Sequence, residues 1–413
     1  MKIRPEVAIV KGEPPFDEFR IKSMVKEAIE LVGGISDLVK PGAIVLIKPN
    51  WLAPIPNPAT TDPRVVKALV EICKEAGAKR VIVSEYAVPH GKVAPYLYGA
   101  WKSLRDVVEK LGLNRFVEDA GGEIIPFEEV ECVEVKVKGG KLLRRARIPK
   151  LVLEADCLIN VPVMKTHFYT LVTLGIKNMH GILPDDLKTY AHKEDLDQFL
   201  VDIIKIRPPD LTVIDGIRAL QGYDHHVSMK DIVEMGLIIA SRDVVAADAV
   251  ASAVMGFDPL DEITHIRIAH MEGVGVGDLN RIVVKGRSVS EVRRVFKRPD
   301  QRLFGIYPNV EIYSGGACNY CIVRTKVALA RLEAEGRLPS EKFTVVLGHK
   351  PILPENPDDL PGYVILIGDC AVSAVPEWIK LKLRLENRLA EAPGCPPMWA
   401  LDMVTAKLFP KKS

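Results

Sequence analysis

Glutamine is nearly absent from this chain of 413 residues, which contains it only at Gln198, Gln221 and Gln301. Labile amides are disfavoured in proteins from hot environments, so this bias predicts a thermophilic source. The net charge is also small, because 56 Lys and Arg residues are balanced by 54 Asp and Glu residues, which leaves a formal charge of +2. A charge so close to zero provides no field that favours nucleic acid or an anionic membrane as a partner.

Long apolar runs are also missing, since no stretch of about 18 uncharged apolar residues occurs. The first residues, MKIRPEVAIVKGEPPF, are too charged for a signal peptide. A hydrophobic content of 48% and a charged content of 27% instead fit an ordinary globular protein with a large core. These features predict a cytoplasmic protein without nucleic-acid or membrane partners, for which an oligomer is possible.

Apolar runs and helical patterns alternate along the first half. Ala43–Ile47, Arg80–Val83 and Cys157–Val163 are predicted strands, and Asp62-Pro63 predicts a helix start with Asp62 as its N-cap. Short strand–helix–strand connections predict a mostly parallel sheet with helices on both faces. A basic, proline-containing cluster near residue 297 predicts a boundary between an α/β domain over 1–296 and a smaller α/β domain over 297–413.

The smaller domain is predicted from its own alternation of elements. Its expected strands and helices are, in chain order, Val310–Tyr313, Ile322–Glu335, Phe343–Leu347, Val364–Ile367, Trp378–Leu389 and Pro397–Leu408.

The densest polar cluster follows the strand predicted at Cys157–Val163. It contains the candidate catalytic residues Lys165, His167, Lys177 and His180, with Asn178 as a binding residue. Ligands bind at the carboxyl ends of parallel strands, where lysines can hold carboxylates or phosphates and histidines can move protons or bind a metal. The alternative is a solvated loop with one core histidine.

Further candidate binding residues lie at other strand and helix ends. Lys48 and Asn50 follow a strand, and Thr60 and Thr61 precede a helix N-terminus that could hold an anion, although simple capping by Asp62 would also explain that segment. We expect Asp215 to face the cleft, with a solvent loop as the alternative. The charge of Asp248 lies in an apolar helix, so we expect it to meet a buried cation or a lysine of the cleft.

Four cysteines near the end of the chain form a candidate metal site: Cys318, Cys321, Cys370 and Cys395. Four thiolates can hold either an iron–sulfur cluster or zinc. Single cysteines in Gly- and Pro-containing turns favour a 4Fe-4S cluster, and the Gly-Cys-Pro-Pro string resembles a cluster-ligating turn of hydrogenase-related respiratory subunits. Zinc and unligated thiols remain alternatives.

Five strings of the first domain stand out in chain order: Ile47–Trp51, Ala59–Pro63, Val163–His167, Leu174–Gly181 and Ala247–Ala251. Together they resemble domain-of-unknown-function family 362. The resemblance covers roughly residues 40–260. Its members are prokaryotic and some carry ferredoxin-type iron–sulfur segments, so it implies a fold and a site without naming a reaction.

A weaker resemblance links the first domain to nickel-dependent lactate racemase. His167 and Lys177 have the ten-residue spacing of that family's strand-end histidine and the lysine that tethers a nickel-pincer nucleotide. The glycine-rich loop that surrounds the racemase lysine is absent here.

Together these features predict a metal or redox protein that binds a 4Fe-4S cluster and acts on a small anionic molecule, with a redox partner protein possible. Whether it is an enzyme is left open, with an oxidoreductase or a racemase/epimerase as the candidates. The alternatives are a nickel-pincer racemase or epimerase of a hydroxy acid, and a non-catalytic electron carrier or zinc-stabilised binding protein.

Overall fold

The structure is a computed structural model that describes residues 4–87, 101–167, 169–191, 195–222, 231–298, 307–317, 319–394 and 398–410. The chain divides into two compact units. The first is Met1–Ala191 with Asp195–Lys297, and the second runs from Arg298 to Ser413.

The strands of the first unit are β1 (Glu6–Lys11), β2 (Ile44–Pro49), β3 (Arg80–Val83), β4 (Glu123–Ile124), β5 (Cys132–Lys136), β6 (Arg145–Pro149), β7 (Cys157–Val161), β8 (Val163–His167), β9 (Leu171–Thr173), β10 (Leu211–Leu220), β11 (Ile232–Ser241) and β12 (Val283–Gly286). Within the described residues, the main sheet has the order β12-β1-β11-β10-β7-β2-β3-β4, with β8 paired to β10 and β9 to β8. The neighbours of β2, β3 and β7 are all parallel, whereas β11 pairs antiparallel with both β1 and β10. The predicted mostly parallel sheet is confirmed.

Helices of the first unit are α1 (Glu18–Leu31), α2 (Pro63–Glu75), α3 (Leu104–Leu111), α4 (Asn114–Glu118), α5 (Lys150–Glu154), α6 (Gly175–Asn178), α7 (Asp185–Ala191), α8 (Leu196–Ile204), α9 (Val244–Val254), α10 (Thr264–Met271) and α11 (Val289–Val292). Neighbouring residues of a strand point to opposite faces, and both Val45 and Leu46 of β2 are fully buried. The centre of the sheet is therefore covered on both faces, as expected for a parallel sheet.

Local sequence explains how α2 begins. Pro63 is its first residue, and the carboxylate of Asp62 accepts a hydrogen bond from the backbone N–H of Arg64. The predicted N-cap is confirmed, because a side-chain acceptor satisfies one of the N–H groups that the first turn leaves without a helical partner.

The single strand predicted over Cys157–Val163 is wrong in one respect, because it is interrupted. Pro162 has no backbone N–H to give to a ladder, and β7 ends at Val161. The chain continues as β8, which runs beside β10 rather than β2. Because of this break, Lys165 and His167 lie on β8, whereas Asn160 lies on β7.

The second unit contains a parallel sheet in the order β13 (Val310–Tyr313), β14 (Phe343–Leu347), β15 (Val364–Ile367) and β16 (Leu389–Ala392). Its helices are α12 (Asn319–Ala334), α13 (Gly368–Ala374), α14 (Glu377–Leu385) and α15 (Met398–Leu408). The helix predicted to reach Leu389 stops earlier, because Asn387 takes a left-handed φ of 56° and Leu389 begins the last strand.

Among the described residues, no helix combines the length and the apolar composition that a transmembrane span requires.

Candidate functional site

Parallel pairing brings polar residues together at the carboxyl ends of three neighbouring strands of the main sheet. Lys48 of β2 lies opposite Asn160 of β7, and Ile47 lies opposite Val83, two residues before Glu85. The chain leaves β2 toward β3 on one side and leaves β7 toward β8 and β10 on the other. Adjacent strands whose connections diverge in this way form a topological switch point, where open α/β sheets bind ligands.

A buried ion pair lies at the centre of this group of strand ends. Lys48 Nζ lies 2.6 Å from Glu85 Oε2, with 0% of the lysine side chain and 2% of the glutamate side chain exposed. Burial lowers the pKa of Lys48 because it penalises the charged amine, while Glu85 acts in the opposite direction. Gly181 packs directly on the pair: a Cβ on this residue would lie 2.1 Å from Glu85 Oε1 and 2.5 Å from Lys48 Nζ.

A network of side-chain amides surrounds the pair, with Asn178 at its centre. Asn178 Nδ2 donates to Asn160 Oδ1 at 2.8 Å and to the carbonyl of Lys48 at 3.2 Å. Its Oδ1 accepts from Asn50 Nδ2 at 3.0 Å and from Lys48 Nζ at 3.4 Å. The network therefore connects α6 to the ends of β2 and β7.

Lys165 joins this network from β8. Its Nζ donates to Asn50 Oδ1 at 3.1 Å and to the carbonyl of Ala59 at 2.7 Å, and the residue is 2% exposed. The structure thus brings together Lys48, Asn50, Lys165 and Asn178, which the sequence analysis had placed in two separate groups.

The two predicted threonines hold the adjacent loop. Thr61 Oγ1 accepts the backbone N–H of Asn50 and donates to the carbonyl of Val161, both at 2.8 Å, while Thr60 Oγ1 donates to the carbonyl of Ile55 at 2.7 Å. These contacts fix the path of the chain between β2 and α2. An anion-binding role for the two threonines stays a prediction.

Asp215 forms hydrogen bonds to the same loop between β2 and α2. Its carboxylate accepts the backbone N–H groups of Asp62 at 2.8 Å and Ile217 at 3.1 Å, and Asn57 Nδ2 lies 3.3 Å away. Burial, followed by the nearby charge of Asp62, raises the pKa of Asp215 to about 7. Asp215 therefore braces the loop that carries Thr60 and Thr61.

Asp248 has a different partner from the one that its sequence context predicts. Its two oxygens accept the backbone N–H groups of Gly175 at 2.7 Å and Ile176 at 2.8 Å, the first residues of α6. The expected lysine partner is wrong, because N–H groups at a helix start stabilise this buried carboxylate instead. The buried His265 also acts on Asp248 electrostatically and lowers its pKa. Burial still raises the pKa of Asp248 to about 7. Asp248 positions α6, which carries Lys177 and Asn178.

The remaining predicted catalytic residues lie on or directly after β8 and α6, the elements that carry Lys165 and Asn178. Nδ1 of His167 accepts the backbone N–H groups of Tyr169 at 3.1 Å and Thr170 at 3.2 Å, so a neutral ring carries its proton on Nε2. Lys177 is half-buried, and its Nζ lies 3.5 Å from His180 Nδ1. Lys177 directly precedes Asn178 in the chain, and His180 follows Asn178 by two residues.

Lys188 of α7 is a site residue that the sequence analysis missed. Its Nζ donates to the carbonyl of Tyr86 at 3.4 Å and lies 5.0 Å from the centre of the Tyr86 ring. The residue is 7% exposed, and burial lowers its pKa to about 8, although the negative charge of Glu85 acts in the opposite direction. The surrounding string Asp-Asp-Leu-Lys-Thr-Tyr is typical of a solvated helix, so no local signal identifies it.

The second unit presents its described cysteines at one edge of its own sheet. Cys370 follows β15 by three residues and is exposed, and Cys321 lies in the first turn of α12 and is buried. Cys321 Sγ packs against Gly368, where an added Cβ would lie 2.9 Å from the sulfur. The backbone N–H of Asp369 donates to the carbonyl of Gly394 at 3.2 Å, and the backbone N–H of Gly394 donates to the carboxylate of Asp369 at 2.7 Å. Cys318 and Cys395 lie outside the described residues, and the residues that are described contain no group of three or more metal-ligating side chains.

Comparison with known proteins places this chain in a family. The fold and site define an α/β protein with a lysine and amide network at a sheet switch point. The model of the family described as Domain of unknown function (DUF362) matches residues 45–253. The chain belongs to this family, which confirms the resemblance seen in its motifs.

Individual relatives give further context. The chain is 31% identical over 249 residues to the thylakoid-associated protein sll1697 of Synechocystis sp., a match that covers 57% of this chain and 70% of that protein. The lactate racemase apoprotein from Thermoanaerobacterium thermosaccharolyticum is similar in structure with a TM-score of 0.39 and 14% identity, over 84% of this chain and 69% of that one. A structural similarity this distant carries no functional argument.

Proposed function

We propose that the buried network around Lys48 and Lys165 is the active site of an enzyme that acts on a small anionic molecule. The observation that carries this proposal is the position of the network at the switch point between β2 and β7, where α/β sheets of this kind bind their ligands. Ammonium groups of lysine and amide N–H groups are suitable partners for a carboxylate or a phosphate.

The proposed roles follow from the surroundings of each residue. Lys165 and Lys177 hold the anionic group, and Asn50 and Asn178 position Lys165 and Lys48 through their hydrogen bonds. His167 can exchange a proton through Nε2, because its Nδ1 is occupied by two backbone N–H groups.

A binding experiment tests the anion site. Thermal unfolding of the full chain is followed with pyruvate, lactate or inorganic phosphate added. We expect at least one of these anions to raise the Tm of the wild type, because a ligand that binds only the folded state stabilises it. Lys165→Met should abolish this rise, whereas Lys79→Met, at an exposed lysine, should preserve it. An equal rise in the wild type and Lys165→Met would contradict the proposal.

We further propose that Cys318, Cys321, Cys370 and Cys395 hold a 4Fe-4S cluster that exchanges electrons with a redox partner protein. The packing of Cys321 Sγ against Gly368 supports this, because glycine leaves space beside a sulfur ligand and lets backbone N–H groups approach it. The hydrogen bonds between Asp369 and Gly394 also support it, since these residues precede Cys370 and Cys395 in the chain. When bound, such a cluster supplies one-electron transfer.

Anaerobic expression followed by iron and acid-labile sulfide analysis tests the cluster. We expect a coloured protein with near-equal amounts of iron and sulfide, and loss of both in Cys321→Ser. Cys73→Ser is the control, because Cys73 is buried in the first unit. Colourless protein that contains zinc would favour the zinc-stabilised alternative, and protein without metal would leave the cysteines as unligated thiols.

Two other functions make different demands on the same residues. A nickel-pincer racemase or epimerase requires a covalent cofactor on Lys177. A non-catalytic electron carrier requires that Lys165→Ala and His167→Ala keep electron transfer intact while Cys318→Ser abolishes it.

A further inference from the structure

The loops that follow β13 and β14 are held together by two hydrogen bonds. The backbone N–H of Lys350 donates to the carbonyl of Gly315 at 2.8 Å. Beside it, His349 donates from Nδ1 to the carbonyl of Gly316 at 2.7 Å, because a carbonyl oxygen can only accept. The second loop therefore binds two consecutive carbonyl groups of the first.

Close packing accompanies these bonds, and glycine makes it possible. A Cβ on Gly316 would lie 2.6 Å from Cε1 of the His349 ring, so the imidazole lies directly against the backbone at this residue. A Cβ on Gly348 would overlap the carbonyl oxygen of Gly315. The path of the first loop is therefore fixed by the ring of His349 and by the backbone next to it.

The fixed loop leads to the first two cysteines of the proposed metal site. Gly316 precedes Cys318 by two residues, and Cys321 lies in the first turn of α12. His349 itself follows β14, the strand between β13 and β15. Since these strands are parallel, their carboxyl ends meet at one edge of the sheet, and His349 therefore lies at the edge where Cys321 and Cys370 lie.

A similar contact occurs where β15 and β16 end. The carboxylate of Asp369 accepts the backbone N–H of Gly394 at 2.7 Å, and Gly394 directly precedes Cys395 in the chain. In both places a side chain from one strand end holds a glycine that comes just before a cysteine. The same relationship at two places favours a role in shaping the metal site over an isolated loop contact.

We propose that His349 is a positioning residue of the metal site in the second unit. Its bond to Gly316 fixes the loop that leads to Cys318 and Cys321, so less conformational freedom is lost when a metal binds to their thiolates. Outer contacts that orient metal ligands typically contribute about 10–100-fold to metal affinity. The inference rests on the proposed function, because it requires a metal bound by these cysteines, and it requires no bond between His349 and that metal.

Iron release tests this role in the full chain after anaerobic expression. The wild type and two variants are mixed with the iron chelator ferrozine, and the coloured iron complex is followed with time. His349→Ala removes the bond to Gly316, so we expect it to release iron at least about tenfold faster than the wild type. His349→Asn keeps an N–H donor near the position of Nδ1 and should therefore release iron at a rate close to that of the wild type.

His270→Ala provides the matched control in the first unit. His270 also contacts a loop glycine, because its Nδ1 accepts the backbone N–H of Gly277 at 3.2 Å. Its replacement should leave iron release unchanged. Urea unfolding of the metal-free chains separates positioning from a general effect on the fold. Since His349 is exposed, we expect His349→Ala and the wild type to unfold at similar urea concentrations.

Three results would overturn the inference and leave the cluster in place. They are release from His349→Ala at the wild-type rate, release from His349→Asn as fast as from His349→Ala, and a clear loss of stability in metal-free His349→Ala. If the wild type held zinc instead of iron, the cluster would fail, and zinc release from the same variants would decide the inference. If it held neither metal, the cluster and the inference would both fail.

Discussion

Lys48 and Glu85 form an ion pair of 2.6 Å that is almost completely removed from solvent, at the point where β2 and β3 end side by side. Burying two charges is costly, and their mutual attraction offsets that cost only while both are present. The pair is therefore a sensitive point of the fold as well as the centre of the candidate site.

Replacing one member of this pair should be strongly destabilising. Glu85→Gln leaves the amine of Lys48 buried without its carboxylate, and we expect a loss of about 3 kcal/mol in the free energy of unfolding. Urea denaturation measures the change. The double variant Lys48→Met/Glu85→Gln should recover part of the loss, because it removes both charges.

Glu134→Gln provides the control for that measurement. Glu134 pairs with Arg145 at 2.7 Å, but both side chains are more than half exposed. An exposed pair contributes about 0.5 kcal/mol. If Glu85→Gln and Glu134→Gln lowered the free energy of unfolding equally, the buried pair would contribute no more to stability than an exposed pair.

Gly181→Ala tests how closely the chain packs on the pair. The new methyl group would overlap Glu85 Oε1 and Lys48 Nζ, so we expect a loss of about 3 kcal/mol and weaker anion binding. Gly273→Ala meets no atom within 4 Å but has a φ of +70°, so it should cost only about 1 kcal/mol through backbone strain. A Gly181→Ala variant as stable as the wild type would mean that the pair can move aside.

Stability should fall as pH rises toward neutrality. The pKa of Asp248 is raised from the ordinary value of 3.8 to about 7, so the folded chain binds more protons than the unfolded chain between these values. Its contribution is fully present below about pH 4 and is lost as pH rises through about 7, with a total on the order of a few kcal/mol. Asp215 acts in the same direction. Urea midpoints measured from pH 4.5 to pH 8 should decline.

Asp248→Asn should flatten part of this decline, because the amide cannot ionise. Asp37→Asn, at an exposed carboxylate, should leave the slope unchanged. A wild-type midpoint that instead increased over this range would contradict the raised pKa values of both buried carboxylates.

The mass of Lys177 separates the leading proposal from the racemase alternative. Lys177 is half-buried with its amine 3.5 Å from His180, and the leading proposal has it bind an anion without covalent change. Peptides from protein isolated from its native host should therefore contain unmodified Lys177. A nucleotide-sized adduct that includes nickel would transfer support to the racemase.

Local signals were sufficient where one segment determines its own structure. Asp62 and Pro63 specify a helix start through a cap and a fixed φ, and the apolar run of Arg80–Val83 is a strand with the predicted bounds. Lys48 and Asn50 could be assigned to a strand end because the end of an apolar run is visible in the sequence.

Contacts between distant segments could not be predicted in the same way. Asp248 lies 73 residues from Gly175, and Lys188 lies 102 residues from Tyr86. Their partners are backbone groups, which carry no residue-specific signal, so a lysine seemed the natural partner for Asp248. The strand β16 was missed because Leu389 continues a helical pattern and only the left-handed Asn387 ends it.

The side-chain amide of Asn178 uses both of its donor hydrogens and both acceptor positions, each toward a different group. Among the standard amino acids, no other side chain combines this size with two donors on one side and two acceptors on the other. Deamidation to aspartate would direct an anionic oxygen at two carbonyl oxygens. Slow deamidation at this single position would therefore break these hydrogen bonds and disrupt the network that connects α6 to the ends of β2 and β7.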